Sequence, residues 1–306
     1  FLAASMALDV GNTDKLAVFR QECQQKNIKV FPPDINFSAH GFTVEKMGES
    51  DDQDRLAVRY ALSAIKNVGA EAMSRLTKIR DADGPFQSLK DFLQRLPREV
   101  INRRQMEGLV RAGALDKLHP NRRELIENMD LILSHADAMR REAESNQDSL
   151  FDGNASVVDE RIWLKDTVDW AGMDRLKEEF DALGLYLSAH PLDSYANQLD
   201  RLRVKTYAML NEAIESGKPP QRANLAGSVT SKQERVSQRG NRFAFVQFTD
   251  QTGVFEVTFF SDVLAEASDL LESKKPLFIS ANLKVEDNGP RLLAARVQLL
   301  DNAIAD

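Results

Sequence analysis

Near residue 222 the apolar residues of this chain change their spacing. Upstream they recur every three or four positions, as in Leu16, Phe19 and Cys23, the spacing of helices with one buried face. Downstream, residues 222–236, 242–250, 253–260, 276–285 and 290–300 are β-rich or alternate apolar with polar. Asp250-Gln251-Thr252-Gly253 and Asn288-Gly289 have hairpin-turn chemistry. One helical stretch, about 262–272, lies between the third and fourth strands. Five strands with a helix at that place is the element order of an OB-fold. The chain has 306 residues, about two domains' worth. The expected fold class is therefore α+β multidomain, with a helical part followed by an OB-fold β-barrel over residues 222–302.

The helical part has its own punctuation. Residues 2–27 read as helix, broken and recapped at Gly11-Asn12-Thr13. Val30–Ile35 is extended around Pro32-Pro33, the acidic run Glu49–Asp54 is a surface loop, and Val58–Tyr60 is a strand. Four short helices follow, about 61–66, 70–80, 88–96 and 102–112, with Ser88 and Asn102 as N-caps. A longer helix covers about 121–144, residues 145–170 have linker composition, and a helix resumes near 173–183.

Hydrophobic residues make up 42% of the chain and charged residues 28%, enough to bury a core. A single cysteine, Cys23, excludes a disulfide framework and a thiolate-rich metal site. His40, His119, His135 and His190 show no metal-ligand spacing. No apolar run approaches ~20 residues and no signal peptide is visible, so a cytoplasmic protein without a membrane partner is expected. The first residue is Phe1, which reads as a piece of a longer protein.

The net charge of −7 argues against nucleic acid, but it is unevenly spread. Residues 55–123 hold 15 Lys+Arg against 7 Asp+Glu, whereas residues 137–174 hold 4 against 10. A basic module beside an acidic linker directs attention to one polyanion-facing surface.

Within the basic stretch, Lys66-Asn67-Val68-Gly69 separates two helices, the pattern of a helix-hairpin-helix. Gly69 admits a phosphate without a Cβ in its way, and the unpaired N–H groups opening the next helix point at the anion. Lys66 adds a charge. A plain αα-hairpin, in which Gly69 only closes a turn, is the rival reading. A second hairpin is expected at Leu109–Leu115, centred on Gly113, with Arg103, Arg104, Arg122 and Arg123 near it. Duplex binding is assigned to Lys66, Asn67, Val68, Gly69, Arg103 and Arg104.

In the acidic linker, Gln147-Asp148-Ser149-Leu150-Phe151 places two large apolar side chains in a polar setting. A short peptide that docks them in a pocket accounts for them, and pinning the linker to its own domain is the alternative. In the β-rich part, Phe243, Phe245, Phe248, Phe255 and Phe259 gather on the second and third strands. Half of each barrel strand faces inward, so most of these are expected in the core. Lys232, Arg235, Arg239 and Arg242 are the assigned single-strand contacts, and binding there is expected to be weak. No catalytic constellation, phosphate-binding Gly-Lys-Ser/Thr loop or nucleophile setting is found.

Asp34-Ile35-Asn36, Ala64-Ile65-Lys66-Asn67-Val68-Gly69, Arg111-Ala112-Gly113-Ala114-Leu115-Asp116 and Gly184-Leu185-Tyr186-Leu187-Ser188-Ala189-His190-Pro191-Leu192-Asp193 resemble the alpha-subunit family of bacterial DNA polymerase III, the C-family replicative polymerases of the DnaE type. The resemblance implies that residues 1–55 end a fingers region and 56–145 form a tandem helix-hairpin-helix module. Residues 146–221 would carry the clamp-binding linker and connecting helices, and 222–302 the OB domain. It implies that Gln147–Phe151 binds the sliding clamp (beta subunit), and that double-stranded DNA, single-stranded template and other holoenzyme subunits are partners. The family's nucleotidyl transfer uses Mg2+ on palm aspartates, none of which maps here, so this part is expected to hold no cofactor and to be non-catalytic by itself. A replisome scaffold, or the same region of an error-prone paralogue, is the alternative function.

Overall fold

Several helices in this chain start on a short polar side chain that caps them, among them Asn12, Ser88, Asn102, Asn121 and Thr206. A computed structural model describes residues 1–47, 56–148, 164–237, 240–273, 275–286 and 289–305, and they divide into two units, Phe1–Ser188 and Ala189–Asp306. The first unit opens with α1 (Leu2–Leu8) and α2 (Thr13–Gln25). Asn12 Oδ1 accepts the Lys15 N–H at 3.1 Å and so restarts the helix after the break. β1 (Val30–Phe31), β2 (Thr43–Lys46) and β3 (Leu56–Arg59) form a small sheet in the order β1-β3-β2, with β1 parallel and β2 antiparallel to β3.

A 3-10 turn at Leu62–Ala64 stands where a helix over 61–66 is expected, and α3 (Ala70–Asp83) follows. α4 (Leu89–Arg95) starts on Ser88, whose Oγ accepts the Asp91 N–H at 3.1 Å. α5 (Arg103–Arg111) opens with a reciprocal cap between Asn102 and Gln105. α6 (Arg122–Glu127), α7 (Met129–Asp148) and α8 (Gly172–Leu183) complete the unit. Its core is continuous from Leu16 and Ile35 through Tyr60 and Phe92 to Leu109 and Leu125.

The segment before β2 is fixed by buried polar groups. Asn36 and Phe86 exchange two hydrogen bonds, Asn36 Nδ2 to the Phe86 carbonyl and the Phe86 N–H to Asn36 Oδ1, both 2.8 Å. Arg80, itself buried, donates to the carbonyls of Ile35 and Ser38. These bonds satisfy loop carbonyls that would otherwise be stranded in the interior.

The second unit begins with a 3-10 turn at Pro191–Tyr195, α9 (Ala196–Arg201) and α10 (Tyr207–Glu215). β4 (Arg222–Val236), β5 (Arg242–Thr249), β6 (Val254–Phe260), α11 (Ser261–Glu272), β7 (Leu277–Glu286), β8 (Gly289–Leu299) and α12 (Leu300–Ala305) follow. The strands close into a barrel in the order β4-β5-β6-β8-β7. Every neighbouring pair is antiparallel except β6 with β8. Register irregularities at Val229/Ser231 and Ser280/Ala281 supply the bends that closure needs. Val246, Phe248, Phe255, Val257, Phe259 and Ile279 fill the interior. The fold class read from the sequence is the one observed. Among the described residues no helix is long and apolar enough to cross a membrane.

Candidate nucleic-acid interface

The turn from Leu62–Ala64 into α3 is built from the inside. Ile65 and Val68 are buried, while Lys66, Asn67 and Gly69 are exposed. Val68 therefore plugs the turn into the core and offers only backbone outward. The left-handed residue is Asn67, at φ 65, and not Gly69, whose φ of −75 suits any residue. Gly69 is the N-cap of α3 and provides no side-chain acceptor, so the first-turn N–H groups face outward unpaired within the helix. A Cβ on Gly69 would come no nearer than 3.7 Å to Gln105 Nε2, so nothing in the protein requires glycine there.

α5 backs this turn, which the sequence reading missed. A Cβ on Gly108 would lie 2.9 Å from the Lys66 carbonyl oxygen and 3.0 Å from Val68 Cγ2. Glycine inside a helical pattern is the signal that marks such a close approach. The Lys66 N–H donates to the Ala182 carbonyl at 2.9 Å, so α8 holds the turn from another side.

Of the two arginines opening α5, Arg103 is spoken for. Its Nε pairs with Glu107 at 2.9 Å and its Nη1 with Asp130, and the Glu107 hydrogen bond foremost raises its pKa. Arg104 is exposed and, like Lys66, has no carboxylate partner among the described residues. Much of the positive excess of residues 55–123 is compensated from outside the stretch. Glu45 pairs with Arg59, Asp34 with Lys117, Glu127 with Arg123 and Glu178 with Arg111.

The turn at Gly113 is closed from within. Arg122 is buried and pairs through Nε and Nη2 with Asp116 at 2.8 and 2.7 Å, and it donates to the Arg111 carbonyl at 3.0 Å. Gly113, at φ 79, gives the guanidinium its room: a Cβ there would stand 2.0 Å from Arg122 Nη2. Arg122 is thus an internal strut. Arg123 pairs with Glu127 at 2.8 Å on the surface.

Of the linker pentapeptide, Gln147 and Asp148 fall at the end of α7, and Ser149, Leu150 and Phe151 lie outside the described residues. Beyond it, the chain returns to α6. Asn128 exchanges two hydrogen bonds with the Lys165 backbone, at 2.8 and 3.0 Å. Asn121 Nδ2 donates to the Thr167 carbonyl at 2.6 Å, and the Arg123 N–H donates to Asp169 Oδ1 at 3.2 Å.

On the barrel, Phe248, Phe255 and Phe259 are buried as expected, whereas Phe243 and Phe245 are half-buried on the outer face. Their rings meet edge to face at 5.4 Å. Phe260, which the sequence reading did not single out, is exposed and pairs across strands with Phe243. Together with Arg242 and Leu293 they line a cleft of about 510 Å³. Arg235 lies 5.5 Å over the Phe245 ring. Lys232 is held by Glu272 at 3.0 Å and Glu234 at 3.2 Å, with the Glu272 hydrogen bond foremost raising its pKa. Arg242 pairs with Glu234 at 2.6 Å. Arg239 lies outside the described residues. The outer face is therefore more aromatic and less freely cationic than the sequence suggests.

Among the described residues no three His, Cys, Asp or Glu side chains gather that would hold a metal ion.

Residues 27–125 match the helix-hairpin-helix motif family, and residues 223–300 match an OB-fold nucleic acid binding domain. DNA polymerase III subunit alpha of Caulobacter vibrioides is 38% identical over 305 residues, covering 99% of this chain and 26% of that protein. The protein of the same name from Neisseria meningitidis serogroup A is 34% identical over 307 residues, covering 99% of this chain and 25% of its own. A crystal structure of a mitochondrial single-stranded DNA binding protein from S. cerevisiae covers 26% of this chain and 93% of its own, at 15% identity and a TM-score of 0.24.

Proposed function

Because the chain belongs by sequence to the family of DNA polymerase III alpha subunits, about a quarter of whose length it spans, we propose that it is the part of such a polymerase that holds primed DNA and the sliding clamp. The observation that supports this best is the exposed Lys66–Gly69 turn, which opens α3 with no side-chain cap on its first N–H groups and is backed by α5, the helix that carries the exposed Arg104. That arrangement takes phosphate oxygens and ignores base identity. The outer barrel face, with Phe243, Phe245, Phe260 and Arg235, suits stacked bases of a single strand. Leu150 and Phe151 are the docking pair for the clamp, and the clamp and DNA contacts reinforce one another by roughly 10²–10⁴-fold in avidity. Nucleotide addition to a primer belongs to other parts of the family's chain, and this chain alone adds none.

Fluorescence anisotropy with a duplex at several salt concentrations tests the grip. Lys66→Glu with Arg104→Glu weakens binding and lowers the slope of log K against log salt by about one for each phosphate no longer neutralised. An unchanged slope overturns the assignment. Leu150→Ala with Phe151→Ala abolishes capture by immobilised clamp while thermal unfolding stays the same. Capture that survives places the tether elsewhere.

A further inference from the structure

Phe37 is 55% exposed, yet it sits on one of the most firmly held loops of the first unit. The Phe37 and Ser38 N–H groups both donate to the Asp34 carbonyl, and the Asn36 N–H donates to Asp34 Oδ1. Ser38 Oγ accepts from the Asp34 N–H and donates to the Tyr60 carbonyl. The loop is also joined to both turns described above. The Ile35 N–H donates to the Ala114 carbonyl, just past Gly113, at 2.8 Å. The N–H groups of Leu62 and Ser63, which lead into the Lys66 turn, donate to the carbonyls of Ala39 and His40, both at 3.1 Å. The ring is thus carried on the same rigid body as the two turns.

Two cations flank it, each also paired with a carboxylate. Lys117 Nζ lies 4.0 Å from the ring centroid and the Arg59 guanidinium 5.7 Å from it. The Lys117 side chain is 62% exposed, and its ammonium also reaches Asp34 at 3.0 Å. Arg59 is buried and held by Glu45 and the Pro32 carbonyl, so it supports the ring and does not reach outward. An aromatic ring in water beside an exposed ammonium matches one chemistry well. The apolar ring packs on a deoxyribose and the ammonium meets the adjoining phosphate. A ring already fixed in place loses little freedom on binding.

We propose that Phe37 and Lys117 form a further contact to the sugar–phosphate backbone of duplex DNA, separate from the Lys66 turn. The proposal rests on the reading that this unit holds a duplex. A sugar contact carries no charge, whereas a phosphate contact does, and this difference separates the two residues in one experiment.

Wild type, Phe37→Ala, Phe37→Trp, Lys117→Gln and Lys66→Gln are titrated against a labelled duplex at several salt concentrations, and each is checked by thermal unfolding. Phe37→Ala weakens binding about five- to tenfold with the salt slope and melting temperature unchanged. Lys117→Gln weakens binding and lowers the slope by about one. Phe37→Trp keeps the affinity, and the new indole's emission changes on adding duplex. Phe37→Ala binding within twofold of wild type, with an indole emission indifferent to duplex, overturns the proposal and leaves the ring to a protein partner. Lys66→Gln reports on the turn alone. If it has no effect while Phe37→Ala weakens binding, the turn assignment fails and the Phe37 contact stands.

Discussion

Two glycines that border one turn do opposite work. Gly69 has an ordinary φ and open space where a Cβ would be, so Gly69→Ala meets no clash and costs the fold only a poorer N-cap, about 0.5–1 kcal/mol. Any drop in duplex affinity in that variant then reports on the approach of a phosphate. Gly108 has backbone and Val68 where a Cβ would be, so Gly108→Ala forces the turn outward and destabilises by about 1–3 kcal/mol. Paired melting and anisotropy measurements check both: the first variant loses little of its melting temperature and binds DNA less well, and the second declines markedly in both. Equal melting losses would show that Gly69 is structural after all. Sequence could assign Gly69 to the turn, because Lys-Asn-Val-Gly sits between two apolar helical patterns. It could not give Gly108 its role, because that depends on where α5 packs.

At the scale of elements, the hairpin β4–β5 is fastened by charge on its outer side. Hydrogen bonds from Lys232 first, and then from Arg242, hold the Glu234 carboxyl below its ordinary value of 4.5. A depressed acid stabilises the fold above its unfolded pKa and loses that contribution as pH falls through the folded value. Wild type is therefore more stable than Glu234→Gln from neutral pH down to about 4.5, and the difference vanishes at lower pH. Melting curves of the two proteins across the acid range test it; a gap that does not narrow as pH falls below 4.5 refutes the linkage. Helix α8 depends on a buried carboxylate. Glu179 is 2% exposed, and its Oε1 accepts from the N–H groups of Leu187 and Ser188 at 2.9 and 2.8 Å. Glu179→Ala strands both donors and costs about 2–4 kcal/mol, read as a lowered denaturation midpoint of the first unit. The strands were legible because alternation and turn residues act locally. α9, α10 and β2 were not, because they are short and their apolar spacing is weak. The free charge of residues 55–123 was overcounted for a related reason. Glu45, Glu127, Asp130 and Glu178 are distant in sequence or sit beyond the stretch, and only folding brings them to the arginines.

At the scale of the whole molecule, the two units hold separate hydrophobic cores. Separate cores unfold as separate cooperative blocks, so calorimetry shows two transitions. Phe248 is fully buried in the barrel, and Phe248→Ala lowers one transition by about 3–5 kcal/mol and leaves the other in place. A single transition that shifts as a whole would mean that the blocks melt together. The change of apolar period near residue 222 marks the start of β4, whereas the division at Ser188/Ala189 and the order and closure of the strands required the structure.

The two hydrogen bonds between Asn128 and Lys165 have a mechanical consequence. Chain that leaves at the end of α7 is stapled again beside α6, within the same unit, so both roots of the intervening stretch share one foundation. A tug on residues 149–163 is borne at both ends by α6 and α7 of the first unit.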